Sequence, residues 1–406
     1  MTPSLSYALP IATLFLLNGA RAALQLPPPM PKAWPANDQT VMIDGALLQD
    51  PLVTEALAHV QSVAPASLLN LKPSTYVSGS TVTYLEDGAA TCYWPLNQCT
   101  RGTTANFKSD IVTCPSANAW GISYDDGPTV NLVNGAHKSD TGEIRATLDK
   151  MGLKATFFVC GTGVTTYPSE VKASYDSGHQ IASHTWTHHP LTSLTNAQIV
   201  AELKYTEAAI YQAIGKVPTY FRPPYGDIDD RVRAIVDALG YRTVLWTTNP
   251  VRDSEDASVT ASTAAGTQVL NTVKTWGVAQ PGFISLEHDI TTFTSSVAVD
   301  VLNWVASVGT SFPLKIQPIN QCIGESGYWA AGGSTTSTST SSVGSTSSGS
   351  TKTATTTATG TSGGKPTPTA TATAPAEQQK SSAGSIRNYI SELFLGALVA
   401  LGVQLF

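Results

Sequence analysis

The sequence predicts an α/β domain over residues 114–322, a parallel sheet covered by helices and arranged as a (β/α) barrel or an open doubly wound sheet. Three observations carry this reading. Apolar strand-like runs alternate with helical patterns through the region. Gly152, Gly178, Gly215 and Gly240 stand where helices should stop. The unusual polar residues cluster at the ends of the strand-like runs, where parallel sheets present their functional groups.

The strand-like runs are AWGISYD (119–125), KATFFVC (154–160), HQIASH (179–184), TYFRP (219–223), YRTVLW (241–246) and GFISLEH (282–288). Helices are expected over 141–151, 167–176, 195–214, 228–239, 258–275 and 294–308. Thr195 is placed to cap 196–214 and Ser258 to cap 259–275. Residues 23–113 open on a Pro-rich stretch, contain one helical pattern near 51–62, and are expected to wrap the main domain as an extension.

The flanks read as processing and tethering segments. Residues 8–18 form a short apolar run before Ala20-Arg21-Ala22, which predicts a secretory signal peptide over 1–22. Residues 331–375 are almost all Ser, Thr, Gly, Ala and Pro and bury too little apolar surface to fold, so 323–380 is expected to be an O-glycosylated stalk. Small residues at 381–385, a short polar spacer and an apolar tail at 390–406 match a GPI-attachment signal over 381–406, with Ser382 as the attachment candidate. These expectations place the protein outside the cell, anchored to the membrane through a lipid and associated with the cell wall.

Composition narrows the partners. Charged residues make up 13% of the chain and the formal net charge is −6, so there is no basic footprint for nucleic acid. No protein partner is implied, and a monomer is expected. The five cysteines all lie in the exported part, where disulfides are stable. Cys160 ends an apolar run and reads as a buried free thiol. Cys92 and Cys99 are close enough for a local loop, and Cys114 and Cys322 flank the domain as candidate staples; the connectivity stays open.

Four clusters carry chemistry. They are Tyr124-Asp125-Asp126-Gly127-Pro128, His184-Thr-Trp-Thr-His188, Arg222-Pro-Pro-Tyr225-Gly226 and Leu286-Glu287-His288-Asp289. Two histidines four apart plus one carboxylate, Asp126 or its neighbour, make a three-ligand set that leaves a coordination position open. The other carboxylate is then free as a base, and His288, from another strand, as an acid. Alone, each cluster reads equally as a turn or a surface histidine. Together they fall at matching strand ends.

In this order the motifs SYDDG, HTWTH, RPPYG and ISLEHD resemble the carbohydrate esterase family 4 (NodB homology) polysaccharide deacetylases, over about residues 114–320. The resemblance implies a distorted (β/α) barrel and one divalent ion, zinc or cobalt, on Asp126, His184 and His188. It implies Asp125 as general base, His288 as general acid, and Arg222 as the group orienting the base. Tyr225 would supply an oxyanion-hole N–H and Leu286 the wall of the acetyl-methyl pocket, with Trp186, Trp246 and Tyr225 as stacking faces for sugar rings. The expected activity is removal of N-acetyl groups from chitin, giving chitosan and acetate. A wall-binding protein of weak activity, a purely structural surface protein, and a deacetylase of another acetylated glycan are the alternatives. One departure stands out: Asn249 occupies the place where the family carries an acid paired with the motif arginine, and Asp253 is the nearest substitute.

Overall fold

Two of the six strand-like runs change neighbours partway along, and this shapes the barrel. The first divides into β1 (Ala119–Gly121) and β2 (Ser123–Asp125), and the last into β7 (Phe283–Ile284) and β8 (Glu287–His288). Between them lie β3 (Thr156–Val159), β4 (Gln180–Ser183), β5 (Tyr220–Phe221) and β6 (Arg242–Thr243), and β9 (Lys315–Gln317) follows. In the computed structural model, which describes residues 27–85, 91–133 and 136–330, a six-stranded sheet runs β6-β5-β4-β3-β2-β8 and a three-stranded sheet runs β7-β1-β9. All of these pairings are parallel.

The crossing residues find backbone partners outside their own strands. Ile122, fully buried, donates its N–H to Gln317 and accepts from the N–H of Thr156. Ser285 donates to Gly121, and Leu286 donates to Arg252. The segment after β6 then closes the ring, with Thr247 N–H on the Ile284 carbonyl at 3.1 Å and Ser254 N–H on the Leu286 carbonyl at 3.0 Å. This is the expected distorted (β/α) barrel. The run expected at 241–246 contributes a short regular strand because its far edge is taken by the extension: Ile111 bridges Val244 and accepts from Leu245.

The helices follow the predicted pattern with two differences. Helix Asn196–Ile214 begins at Thr195 in a capping box with Gln198 and ends on Gly215 at φ 66°. The helix expected from Ser258 instead begins at Thr263, with Ser262 as its cap. The cause is the preceding loop: Asp256 is held by His288 and Ser258 N–H closes a turn on Glu255, so the chain is not free to enter a helix there. A short helix, Gly161–Thr166, follows β3 where the sequence reading had none.

The extension is built into the same core. Helix Pro51–Val63, capped by Asp50 and started by Pro51, buries Leu52, Val53, Ala56 and Val60 against helix Asn196–Ile214. Leu52, Val53 and Val60 each contribute roughly 1.5–3 kcal/mol on full burial, and Ala56 less. Trp34 stacks on Trp186 at 5.7 Å. The disulfides Cys92–Cys99 and Cys114–Cys322 are formed, and Cys160 is buried and free. The signal-peptide segment, residues 331–375, Ser382 and the 390–406 tail lie outside the described residues. Among the described residues, no helix is long and apolar enough to cross a membrane.

The Cys114–Cys322 bridge closes 208 residues of chain at the start of β1. Replacing both cysteines by serine is expected to cost about 2–5 kcal/mol, read as a lower urea midpoint. An unchanged midpoint would show that the bridge is not a staple of the barrel.

Candidate metal centre

The first ligand loop hangs from the end of β2. Asp126 adopts a left-handed backbone at φ 82°, and its N–H reaches back to the Phe158 carbonyl. Gly127 donates to Asp289 Oδ1 at 2.9 Å, and a Cβ there would lie 2.1 Å from Asp289 Oδ2, so only glycine fits. Asp289 also accepts from the Thr141 hydroxyl at 2.6 Å and donates its own N–H to Asp125. Burial, against the bonds from Thr141 and Gly127, raises the Asp289 carboxyl to about 7.

The second loop leaves β4. His184 donates Nδ1–H to the Arg222 carbonyl at 2.8 Å, which fixes Nε2 as the atom with a free lone pair. Thr185 and His188 sit at φ 69° and 60°. Such conformations cost of order 1–3 kcal/mol each in non-glycine residues and persist only where the surroundings impose them. They turn His188 back so that its Nε2 lies 2.9 Å from Asp126 Oδ1, with His184 Nε2 3.1 Å from the same oxygen.

One ligand atom from each of Asp126, His184 and His188 lies within 4.8 Å of the other two. Asp126 Oδ1 is buried without a hydrogen bond of good geometry. Burial opposes its ionisation, but His188 and His184 hold the carboxyl well below the usual range. An ionised oxygen and an imidazole nitrogen with a free lone pair, converging beside a second imidazole, fit a divalent cation. The donors suit zinc and its neighbours in size and charge.

Beside the triad, Asp125 Oδ1 accepts from Arg222 Nη1 at 2.7 Å. Arg222 is fully buried and held on all sides: Nη1 on Ser123 Oγ at 2.8 Å, Nη2 on the Leu245 carbonyl at 3.2 Å, and its guanidinium carbon 4.1 Å above the Phe158 ring. Burial depresses its pKa and Asp125 opposes that. The Asn249 departure therefore does not unseat Arg222; Asn249 is exposed in the turn closed by the Thr248–Val251 bridge.

The acid from this loop serves another partner than the sequence reading assigned. Asp256, three residues beyond Asp253, accepts from His288 Nδ1 at 2.7 Å and from the His288 N–H at 2.9 Å. Burial opposes charge on His288, but Asp256, with Asp126 and Asp125, outweighs it and lifts the imidazole to about 10. Asp253 pairs through its backbone with Leu286, and burial pushes its carboxyl up to about 6. Glu287, on the opposite face of β8, is raised to about 8 by burial and by Asp256. Sequence reasoning missed Asp256 because it stopped at the first acid after Asn249; the run Asp253-Ser-Glu-Asp256 held the signal.

Tyr225 is 43% exposed, has φ 60°, and sets its ring 4.5 Å from His188. Leu286 is buried near the strand end. Trp246 is half-buried, with Trp94 of the extension edge-on at 5.8 Å. Trp186 does not offer a sugar-stacking face: it is fully buried between Trp34 and Tyr205, with its indole N–H on the Ala36 carbonyl. Its place beside helix Asn196–Ile214 makes it core. Tyr76 of the extension sets its ring 5.4 Å from His189, a contact that no local pattern could foretell.

Fold and site together define a barrel protein with a candidate three-ligand metal site flanked by a buried carboxylate and a carboxylate-paired histidine. A family model described as polysaccharide deacetylase matches residues 113–244. Chitin deacetylase 3 of Cryptococcus neoformans var. neoformans serotype D is 30% identical over 312 residues, covering 71% of this chain and 72% of that protein. The chain belongs to the polysaccharide deacetylase family. Chitin deacetylase 1 of Cryptococcus neoformans var. grubii serotype A is 36% identical over 304 residues, covering 72% of this chain and 59% of that protein. The chain spans about half to three fifths of the length of the first curated relatives it matches. The solved chitin deacetylase of Colletotrichum lindemuthianum is similar over 54% of this chain and 95% of its own, at 22% identity and a TM-score of 0.47.

Asp256→Asn removes the charge that keeps His288 protonated. In an NMR titration of the metal-free protein His288 should lose its proton about 1–3 pH units lower than in the wild type. The sign also fixes a stability window. The raised value stabilises the folded chain fully below the ordinary 6.5, and the contribution is lost as pH climbs through about 10. An unmoved His288 titration would refute the pairing.

Proposed function

We propose that the protein hydrolyses N-acetyl groups from the N-acetylglucosamine units of chitin, releasing acetate and leaving chitosan, with a divalent ion, zinc or cobalt, held by Asp126, His184 and His188. The convergence of those three side chains beside both Asp125 and His288 carries the reading. When bound, the ion supplies Lewis-acid polarisation of the acetamide carbonyl and lowers the pKa of water.

The chain's own groups do the rest. Asp125, oriented by Arg222, accepts the proton of the attacking water. The Tyr225 N–H is assigned to the oxygen that gains charge as the carbonyl carbon becomes tetrahedral. His288, kept protonated by Asp256, donates to the departing amine nitrogen, so the leaving group is a neutral amine. Leu286 lines the space for the acetyl methyl, and the exposed ring of Tyr225 and the half-buried Trp246 offer apolar faces to the sugar. The placing of Arg222 removes the support that Asn249 lent to a binding-only reading.

Similarity to fungal chitin deacetylases supports chitin or chitosan as the polymer. The proposal extends to location: a secreted protein, tethered at Ser382 by a GPI anchor beyond a Ser/Thr-rich stalk, acting in cell-wall remodelling.

Acetate release from chitin oligomers should be abolished by a chelator and restored by zinc or cobalt. Asp125→Asn should lower kcat about 10²–10⁴-fold while leaving metal binding intact. Undiminished release after complete metal removal, or from Asp126→Ala, would overturn the mechanism.

A further inference from the structure

We propose that Glu202 is a positioning residue that sets the spacing of His184 and His188; this rests on the metal reading above. Glu202 lies within helix Asn196–Ile214, away from every motif of the site, and is 1% exposed. Carboxylates are almost never buried to this degree unless their oxygens are bonded or paired. Among the described residues no cation pairs with it. Instead Oε2 accepts from the backbone N–H of Trp186 at 2.7 Å and of Thr187 at 2.8 Å, and Oε1 accepts from the Thr187 hydroxyl at 2.5 Å.

All three donors belong to the short span that separates the two histidines. The Thr187 hydroxyl, having given its proton to Glu202, accepts from His189 Nδ1 at 2.7 Å. On the other side, Gly161 N–H binds the Thr185 carbonyl at 2.8 Å. The span therefore hangs between β3's following helix and Glu202, with left-handed residues at Thr185 and His188. Such a turn has no ladder of its own to hold it. Glu202 supplies the missing acceptors, fixes the peptide planes on the approach to His188, and so fixes where its Nε2 meets Asp126.

The test titrates cobalt(II) into the metal-stripped full chain and reads the ligand-field absorption. Glu202→Gln keeps the reach, and its amide can accept from both backbone donors and donate to Thr187; its affinity should stay within about threefold of wild type. Glu202→Asp keeps the charge but is one carbon too short to reach both backbone donors. It should bind cobalt about 10–100-fold more weakly, the range for lost outer-shell partners, with altered absorption bands. Wild-type affinity and spectrum in Glu202→Asp would overturn the proposal, as would a Glu202→Gln protein no better than Glu202→Asp. Should Glu202→Asp fail to fold, Thr187→Val, which removes the hydroxyl's bonds to Glu202 and His189 but leaves both backbone donors, should weaken binding several-fold, and an unchanged affinity would overturn it. Failure of the wild type itself to bind cobalt would instead count against the metal reading.

Discussion

Asp125 and His288 are direct partners across the parallel ladder between β2 and β8. That register is the constraint on which the rest of the site depends. Under the proposed mechanism these two groups accept and donate protons on one bond, so they must stand a fixed distance apart and face the same way. Neighbouring parallel strands, with side chains alternating at a period of two, provide this without any loop having to find its own position. The price is paid in the strands below, where both runs change sheets at Ile122 and Leu286 and need acceptors from β9 and from the Arg252 segment.

The candidate ligand loops and the Tyr225 turn are held differently. Asp126, Thr185, His188 and Tyr225 all carry left-handed backbones. These conformations gather at the mouth of one barrel, two of the loops fastened by a buried carboxylate and the third by aromatic packing. Asp289 fastens the first loop, Glu202 the second, and the packing of Trp94 and Trp246 against Gly226 the third. Strain of this kind survives only because the packed helices behind it cannot yield. Charge is arranged on the same principle. Arg222 pairs with Asp125 and Asp256 with His288, so the two buried carboxylates keep different partners.

The alternation of strands and helices was legible because apolar periodicity and glycine stops act locally. The six runs and the Thr195 cap could be read from residue order, the cysteines of both disulfides stood as candidates with their connectivity open, and the grouping of Asp126, His184 and His188 came from the motif resemblance. What could not be read depended on contacts between distant segments. The Ser258 cap fails because Asp256 is held by a strand some thirty residues later. Trp186 looked like a surface aromatic within a motif, yet its environment is made by Trp34, roughly 150 residues earlier, which no motif records. The acidic run at 253–256 was visible in the sequence, but which of its members meets His288 depends on the path of the loop.

The wedge of Trp94 against Gly226 reaches beyond the site. A Cβ at Gly226 would lie 2.5 Å from the Trp94 ring, which is presented from within the Cys92–Cys99 loop. Trp94 N–H is bonded to Ile228, and Ile111 lengthens the sheet beside Val244. The stretch that motif comparison leaves outside the domain is thus part of its wall. A gene fragment cut at the first motif would encode a barrel with an open seam along β6 and an unsupported turn at Tyr225. The smallest heritable unit of this protein is accordingly larger than its recognisable signature, and recombination between relatives would have to exchange both pieces together.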